Sequence, residues 1–599
     1  MKTAVALALS LLLLGATASA QTRRALMHWP QASTGAQSDK RAGVISGRLA
    51  DMAGQPIANA VVYVGSAASL RRESHNTSTD EQGRFRVADL PRGLYYVSPN
   101  VPGYVRPDEE TRPRLYRAGD TVNLTMAKGG VITGTVLNHA NEPMTGCTVQ
   151  AMFIRDKENR PVSISRTQVL TEVDDRGVYR LYGLSSGTYV VVTAGKHPYV
   201  NLSSVYQNDV PTYYPSSTRD TAQSVTVQAG EEVSGIDIRY RGERGYAISG
   251  KVLGLAAESA NVNFYVQLFN LTTRTVEGAA NVGAFYPSNG DNGFAFYGVT
   301  DGEYIVTALL NRFDGKLGSG SGRARVKVKG ADVTGIDITV VPHGSIAGTL
   351  VIEPLRNADA QSKCEIKRRL APDEMLVKAR REVKAGEPDL NVNSLQQSAP
   401  SDKGDFSLTW LEAGQYHIEP AMLGEDYFVQ SITLPAPAKN QPPVDVTRYP
   451  LAVKSGDHLN NLTVTIAEGA AAARGRVVSA TKDARLPDRL RIHLVPAEKE
   501  AANDVLRFAE AKVSADGAFV INNLAPGHYF ILARPSADDE TGDEQAWPVA
   551  WHATERAALL KQAAAANLTL DLQPCQRLSD YMLKYTPLAP KPARKKETR

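Results

Sequence analysis

The residues best suited to chemistry are His552 and Glu555, which form a His-x-x-Glu pair near the end of the 599-residue chain. Such a pair can supply two zinc ligands, but a catalytic zinc site needs three from the protein. The other histidines are scattered and show no His-x-His, His-x-x-x-His or His-Glu-x-x-His spacing. We therefore expect no catalytic, cofactor-binding or metal-binding residue, and keep a metal-dependent hydrolase or peptidase at His552 and Glu555 as the alternative.

Two tyrosine-rich segments could form a binding surface instead. They are "GKHPYV" at 195–200 and "SSVYQNDVPTYYPSS" at 203–217. Exposed aromatic faces suit a sugar or a peptide, but a loop tyrosine more often packs on its own domain, and we expect that arrangement here. A glycan, a peptide or a cell-envelope protein stays open as the partner.

The charge composition argues against a strongly charged partner such as a nucleic acid. Charged residues make up 22% of the chain, hydrophobic residues 42%, and the formal net charge is +4. A nucleic-acid-binding protein would usually carry a denser basic face, so no nucleic acid is expected.

The length of the chain predicts several domains. A chain of this length is too long to fold around one hydrophobic core, so domains of roughly 100 to 150 residues are expected.

The N-terminal sequence "MKTAVALALSLLLLGATASAQ" predicts export. Lys2 supplies the positive region, Val5 to Leu14 the short apolar core, and Ala18 to Ala20 the small residues of a cleavage site. No cysteine follows the predicted cleavage point, so no lipid anchor is expected. No later stretch approaches the ~20 apolar residues of a transmembrane helix. We predict a secreted or periplasmic protein with no transmembrane segment after cleavage.

Only three cysteines occur, and they lie far apart: Cys147, Cys364 and Cys575. Three thiols cannot form a disulfide framework, and the absence of a Cys-x-x-Cys pair argues against structural zinc. We do not expect a bridge, although one pairing stays open.

An aromatic pair ten residues apart occurs five times. In each copy a Leu or Val follows the first ring by five positions, and a glycine follows that residue by three. Alternation along two strands would turn both rings inward, the glycine would allow a positive φ at the corner, and the tyrosine hydroxyl would bond to nearby backbone. The pairs are Phe85/Tyr95, Tyr179/Tyr189, Phe294/Tyr304, Phe406/Tyr416 and Phe519/Tyr529.

Two further signatures flank each aromatic pair. Upstream lies an apolar-x-Gly-x-apolar strand, whose central glycine indicates a close backbone approach or a bulge. Downstream lies a closing strand, predicted at Val122, Val233, Val333, Leu459 and Asn567. Successive corner tyrosines follow after 94, 115, 112 and 113 residues. Such a period suits a β-sandwich of about seven strands.

These signatures resemble the carboxypeptidase regulatory-like domain, a transthyretin-like or prealbumin-like β-sandwich found in tandem in bacterial exported proteins. The first unit carries "VISGRLADMAGQPIANAVVYV" and "TDEQGRFRVADLPRGLYYVSPNVPGY", which match the usual pattern of the family almost throughout. The resemblance implies the fold and leaves function open, because the same fold serves adhesion, sugar binding and purely structural roles.

The prediction is an all-β tandem array of about five transthyretin-like or Ig-like β-sandwiches. One short helix is expected at 555–566, and short connections predict a stiff rod. The function predicted is a non-enzymatic binding, adhesion or spacer module of the cell envelope, of open oligomeric state. The ranges are a signal peptide at 1–20, a linker at 21–41, repeats at 42–127, 128–241, 242–342, 343–468 and 469–573, and a basic disordered tail at 574–599.

Overall fold

The computed structural model describes residues 43–68, 74–107, 114–162, 168–194, 206–254, 262–283, 292–312, 319–355, 364, 366, 368–382, 395–436, 438–481, 485–487, 489–536 and 548–586. The chain divides into two compact units, Met1–Asp39 and Lys40–Arg599, and every described residue belongs to the second. The predicted signal peptide and linker therefore lie outside the described residues. None of the helices in the described ranges is long and apolar enough to cross a membrane.

Sandwich 1 has two four-stranded sheets over one core. Its strands are β1 (Gly43–Asp51), β2 (Val61–Ser66), β3 (Ser74–Ser78), β4 (Arg84–Leu90), β5 (Leu94–Asn100), β6 (Tyr104–Val105), β7 (Leu115–Arg117) and β8 (Thr121–Lys128). The sheet orders are β4-β1-β8-β6 and β3-β2-β5-β7. Along β4, Phe85 and Val87 are buried while Arg84 and Arg86 are exposed, which is the predicted alternation.

Sandwich 2 repeats the arrangement with shorter closing strands. Its strands are β9 (Gly130–Leu137), β10 (Thr148–Asp156), β11 (Gln168–Glu172), β12 (Val178–Leu184), β13 (Gly187–Ala194), β14 (Thr212–Tyr213), β15 (Ser224–Val227), β16 (Glu232–Val233) and β17 (Ile238–Arg239). One sheet has the order β11-β10-β13-β14, with β15 also pairing β13. The other has the order β12-β9-β16, with β17 also pairing β9.

Sandwich 3 joins its two layers into one seven-stranded sheet. Its strands are β18 (Tyr246–Gly254), β19 (Val262–Asn270), β20 (Thr275–Gly283), β21 (Gly293–Val299), β22 (Gly302–Arg312), β23 (Gly320–Val328) and β24 (Val333–Pro342). The order is β20-β19-β22-β23-β24-β18-β21. The connection between the layers is the short pairing of Gly320 and Ser321 with Pro342 and Val341.

Sandwich 4 has one five-stranded and one four-stranded sheet. Its strands are β25 (Gly344–Glu353), β26 (Met375–Arg381), β27 (Leu395–Ser398), β28 (Asp405–Leu411), β29 (Gly414–Met422), β30 (Tyr427–Leu434), β31 (Val444–Asp445), β32 (Leu451–Val453) and β33 (His458–Glu468). A 3-10 helix (Pro372–Glu374) precedes β26. The orders are β28-β25-β33-β30-β31 and β27-β26-β29-β32, and β26 contributes Met375 and Val377 to the core.

Sandwich 5 carries the α-helix of the described part of the chain. Its elements are β34 (Ala471–Ser479), β35 (Leu490–Pro496), β36 (Ala509–Lys512), β37 (Ala518–Leu524), β38 (Gly527–Pro535), α1 (Ala553–Ala566), β39 (Thr569–Leu572) and β40 (Arg577–Tyr585), with 3-10 helices at Lys499–Ala501, Val505–Arg507 and Val549–Trp551. The sheet orders are β37-β34-β40 and β36-β35-β38-β39. Leu559 and Ala563 of α1 pack on Val495 and Leu532 of the second sheet.

The predicted end of the fifth repeat is wrong. Residues 574–599 were expected to form a disordered tail, and the closing strand was expected at Asn567. The structure instead pairs β40 in parallel with β34, and Leu583 and Tyr585 complete the core, whereas the rest of the predicted tail, 587–599, lies outside the described residues. The earlier segment, β39, pairs with β38 in the other sheet. The register shifts between Leu578 and Tyr581, where Asp580 has a φ of 58°, so the apolar residues of β40 do not alternate regularly along the sequence.

The repeated aromatic rings lie inside the sandwiches, as the spacing predicts. Each of the ten rings is at most 5% exposed. The first ring of every copy stands directly opposite the glycine of the first strand, as Phe85 does to Gly47. The other four pairs are Tyr179/Gly134, Phe294/Gly250, Phe406/Gly348 and Phe519/Gly475.

The corner tyrosine of every copy donates its hydroxyl to the carbonyl oxygen four residues earlier. The distances are 2.6 Å for Tyr95 to Pro91, 2.7 Å for Tyr189 to Ser185, 3.0 Å for Tyr304 to Thr300, 2.8 Å for Tyr416 to Glu412 and 2.6 Å for Tyr529 to Ala525. The predicted hydroxyl anchor is thus present in all five copies. It fixes the corner by satisfying a carbonyl that the turn leaves unpaired.

Contacts between sandwiches are not confined to neighbours in sequence. Leu94 and Ala67 of sandwich 1 share a buried cluster with Leu376 of sandwich 4. Arg92 Nε lies 2.8 Å from Asp373 Oδ2, and Gln397 Nε2 donates to Ala67 O at 3.3 Å. The stiff rod predicted from the short connections is therefore wrong, because a rod would keep sandwich 1 away from sandwich 4.

Candidate functional site

The predicted zinc ligands lie on the surface at the start of α1. His552 is the residue before the first helical turn, and Glu555 lies within that turn, where a carboxylate favours the positive end of the helix dipole. Both side chains are exposed. Within the described ranges, no group of three or more His, Cys, Asp or Glu side chains could hold a metal ion.

The described tyrosines of the predicted aromatic segments pack on sandwich 2. Tyr213 is 8% exposed, and burial together with the Glu277 carboxylate raises its pKa to about 12. Tyr206 and Tyr214 are half-buried against the core of the sandwich. Tyr206 meets Tyr240 edge to face, with ring centroids 5.7 Å apart. These rings are therefore structural, while "GKHPYV" lies outside the described residues.

A cleft lies between sandwiches 2 and 3, against the outer face of β10 and β13. It has an empty volume of about 530 Å³ that includes open solvent. Met152, Val192 and Tyr213 form one wall, and Thr275 and Glu277 of β20 form the other. The described residues that line it include one carboxylate and no His, Cys, Lys or Arg, so among them there is no nucleophile paired with a base.

Sandwiches 4 and 5 meet through an aromatic stack. Trp551 of sandwich 5 lies flat on His417 of sandwich 4, with ring centroids 4.4 Å apart and an interplanar angle of 12°. His417 Nε2 is 2.7 Å from Glu382 Oε1. Burial lowers the pKa of His417, and the Glu382 carboxylate partly offsets that effect. The stack closes the same face of sandwich 4 that bears Arg380 and Glu419.

A disulfide joins the same two sandwiches. Cys364 and Cys575 are bonded, with their Cα atoms 5.4 Å apart and a sequence separation of 211. Sequence reasoning did not expect this bridge, because nothing in the spacing of three distant cysteines marks two of them as neighbours. Cys147, the remaining thiol, is buried in sandwich 2. Next to the bridge, Arg577 forms an ion pair with Asp426.

Sandwiches 3 and 4 share a polar network across their junction. Glu412 of sandwich 4 forms an ion pair with Arg323 and accepts a hydrogen bond from Ser321 Oγ at 3.1 Å. His343 Nε2 lies 2.8 Å from Ser321 Oγ. Burial lowers the pKa of His343. Arg381 adds a second cation 3.7 Å from Glu412 Oε2. The network thus brings a carboxylate, two guanidinium groups, an imidazole and a hydroxyl together at the junction.

One family model matches the chain. The carboxypeptidase regulatory-like domain matches residues 44–127, which is sandwich 1. The resemblance inferred from the glycine strand and the aromatic pair is thus confirmed for this unit. Sandwiches 2 to 5 repeat its pairing of a ring with a glycine and its tyrosine anchor. No curated protein matches the chain.

Three solved structures illustrate the remote similarities. The TIE protein of Bacillus anthracis is 13% identical, covers 72% of this chain and 76% of its own, and gives a TM-score of 0.13. The minor pilin GBS52 of Streptococcus agalactiae is 13% identical, with 33% and 95% covered and a TM-score of 0.18. The shaft pilin SpaA of Lactobacillus rhamnosus GG is 11% identical, with 33% and 98% covered and a TM-score of 0.17. TM-scores this low carry no argument about the fold, which is therefore assigned from the sheets of this chain alone.

Proposed function

Because sandwich 1 matches the carboxypeptidase regulatory-like domain family and four further sandwiches repeat its geometry, we propose that this chain is an exported, non-enzymatic scaffold of the cell envelope. It holds five β-sandwiches in a fixed arrangement and presents their outer surfaces to a glycan, a peptide or an envelope protein. Export is supported by the N-terminal sequence, with its charged, apolar and small-residue regions.

The observation that carries the proposal is the linkage between sandwiches. The Cys364–Cys575 bridge and the stack of Trp551 on His417 hold sandwich 5 on sandwich 4. The cluster around Leu94 and Leu376 holds sandwich 1 on the same domain. Links between domains that are distant in sequence restrict their relative motion, which is what a scaffold requires and a flexible tether does not. A structural disulfide also fits an oxidising compartment outside the cytoplasm.

A sedimentation experiment tests this function. Purified residues 21–599 would be mixed with the envelope fraction of the producing cells and centrifuged, with bovine serum albumin as the control for trapping. We expect this chain to sediment with the envelope fraction and albumin to stay in solution. A chain that stays in the supernatant at every protein concentration contradicts the proposal.

A parallel assay addresses the hydrolase alternative. The same preparation would be given Zn²⁺ and a mixture of peptide and ester substrates, with the variant H552A/E555A beside it. We expect no turnover that depends on these two residues. Hydrolysis that is present in the wild type and absent from the double variant would replace the scaffold by the metal-dependent enzyme.

A further inference from the structure

All five sandwiches place one residue in the left-handed backbone region at the same point of the aromatic hairpin. This residue follows the first ring by four positions and precedes the buried Leu or Val. At this point the hairpin strand has one residue more than its partner strand, which makes a β-bulge. The five residues and their φ angles are Asp89 at 57°, Gly183 at 71°, Gly298 at 64°, Trp410 at 64° and Asn523 at 59°.

Trp410 is the exception among these five residues. Glycine, asparagine and aspartate tolerate the left-handed region, whereas a bulky side chain there is a genuine outlier. Burial does not explain the indole either, because Trp410 is 45% exposed. A strained residue that contributes little to the core is a candidate for function.

The exposed neighbours of Trp410 along its own strand are polar. Asp405 and Ser407 are exposed on β28. Two residues further on, Glu412 begins the network that crosses to Arg323, Ser321 and His343 of sandwich 3. Trp410 thus precedes by two residues a carboxylate that pairs with a guanidinium group and a hydroxyl of sandwich 3.

We propose that this junction binds a saccharide through stacking on Trp410. A pyranose ring has a C–H face that suits an indole and hydroxyls that both donate and accept hydrogen bonds. Such hydroxyls can bond to Glu412 and Arg323 together, which are 19% and 36% exposed in their side chains. An apolar helix or strand of a protein partner would need a wider apolar surface than one ring among polar neighbours. This inference rests on the proposed function, and names the ligand and the site.

The test is a comparison of Trp410→Gly with Trp410→Phe in residues 21–599. Binding would be measured by affinity gel electrophoresis against a soluble β-glucan, a xylan, a galactomannan and chitosan oligomers. We expect at least one polysaccharide to bind the wild type, W410G to lose more than about tenfold in affinity, and W410F to lose only a few-fold. Tyr449→Ala is the matched control, because Tyr449 is 75% exposed in the same sandwich and should not affect binding.

Protein stability separates loss of the site from loss of the fold. Glycine removes the strain at this backbone position, so W410G should unfold at the same temperature as the wild type or a higher one. If none of the four polysaccharides binds, or if W410G binds like the wild type, the saccharide site is wrong. If the saccharide site is wrong but W410G still sediments with the envelope fraction, the scaffold function is retained. If the wild type does not sediment, both the scaffold function and the saccharide site are contradicted.

Discussion

Phe85 stands directly opposite Gly47 on the neighbouring strand, and its ring fills the space where a side chain of residue 47 would lie. A Cβ atom built on Gly47 would lie 1.9 Å from Val122 O of the closing strand and 2.8 Å from Phe85 Cζ. The glycine is therefore a requirement of the core. It lets the first strand, the aromatic ring and the closing strand meet.

Gly47→Ala should destabilise sandwich 1 by about 2 kcal/mol or more, since the backbone of the closing strand must move. Gly65→Ala is the control, because a Cβ atom at Gly65 meets nothing within 4 Å in the same sandwich. Hydrogen exchange of peptides from β1 and β8 measures the difference. Equal protection in the two variants would show that the contact of residue 47 with Val122 does not limit the stability of sandwich 1.

Removing a corner hydroxyl should weaken one sandwich by a smaller amount. Tyr95→Phe leaves the Pro91 carbonyl without the hydroxyl that now donates to it at 2.6 Å. The expected loss in free energy of unfolding is about 1–2 kcal/mol. Tyr63→Phe in the same sandwich, at a tyrosine that is 40% exposed, should change little. Thermal unfolding and hydrogen exchange of β4 and β5 measure both; a change as large in Y63F as in Y95F would contradict the anchor.

The disulfide should stabilise the attachment of sandwich 5. Cys364→Ser with Cys575→Ser opens a loop of 211 residues, for which chain entropy gives an upper limit of about 5 kcal/mol. We expect faster exchange in β40 and the 3-10 helix at Val549–Trp551, and the same effect when the wild type is reduced. The double variant should not respond to the reductant. A wild type whose exchange is identical with and without reductant would show that the bridge contributes nothing.

Acid should weaken sandwich 5 through His493. This side chain is 2% exposed, and burial together with Arg534 and Arg491 lowers its pKa to about 3. Glu510 lies 3.6 Å away and does not reverse the shift. The unfolded chain takes up a proton near pH 6.5 and the folded chain does not, so stability is full above pH 6.5 and falls as the pH drops towards 3.

The slope of that loss is about 1.4 kcal/mol per pH unit for one histidine. Denaturant unfolding of His493→Asn and of the wild type between pH 7 and pH 4 tests it. The variant should start from a lower stability and show a flatter dependence on pH. Parallel curves for the two proteins would mean that other groups carry the acid response. His528→Asn is the control, since His528 is exposed in the same sandwich.

The contact between sandwiches 1 and 4 should open when its apolar centre is charged. Leu376 is fully buried on the outer face of β26, where it meets Leu94. Leu376→Glu should raise exchange in β5 and β26 without unfolding either core, because a carboxylate cannot be buried there without a partner. Leu253→Glu, at a leucine that is 41% exposed, is the control. Unchanged exchange in L376E would contradict a lasting contact.

The amino-acid sequence by itself determined the repeating unit. Ring, glycine and tyrosine positions recur within about twenty residues, and strand alternation then decides which side chains face inward. That local rule predicted the buried rings, the tyrosine anchors, the first strands and four of the five closing strands. It failed at β40, where a bulge at Asp580 shifts the register between Leu578 and Tyr581 and breaks the alternation of apolar residues.

The tertiary structure decided everything that joins one sandwich to another. The Cys364–Cys575 bridge, the stack of Trp551 on His417 and the packing of Leu94 on Leu376 each connect residues more than a hundred positions apart. No period in the sequence marks such contacts, because they depend on the shapes of two complete surfaces. Trp410 shows the same limit at one position: its exposure could not be seen until the bulge that holds it was folded.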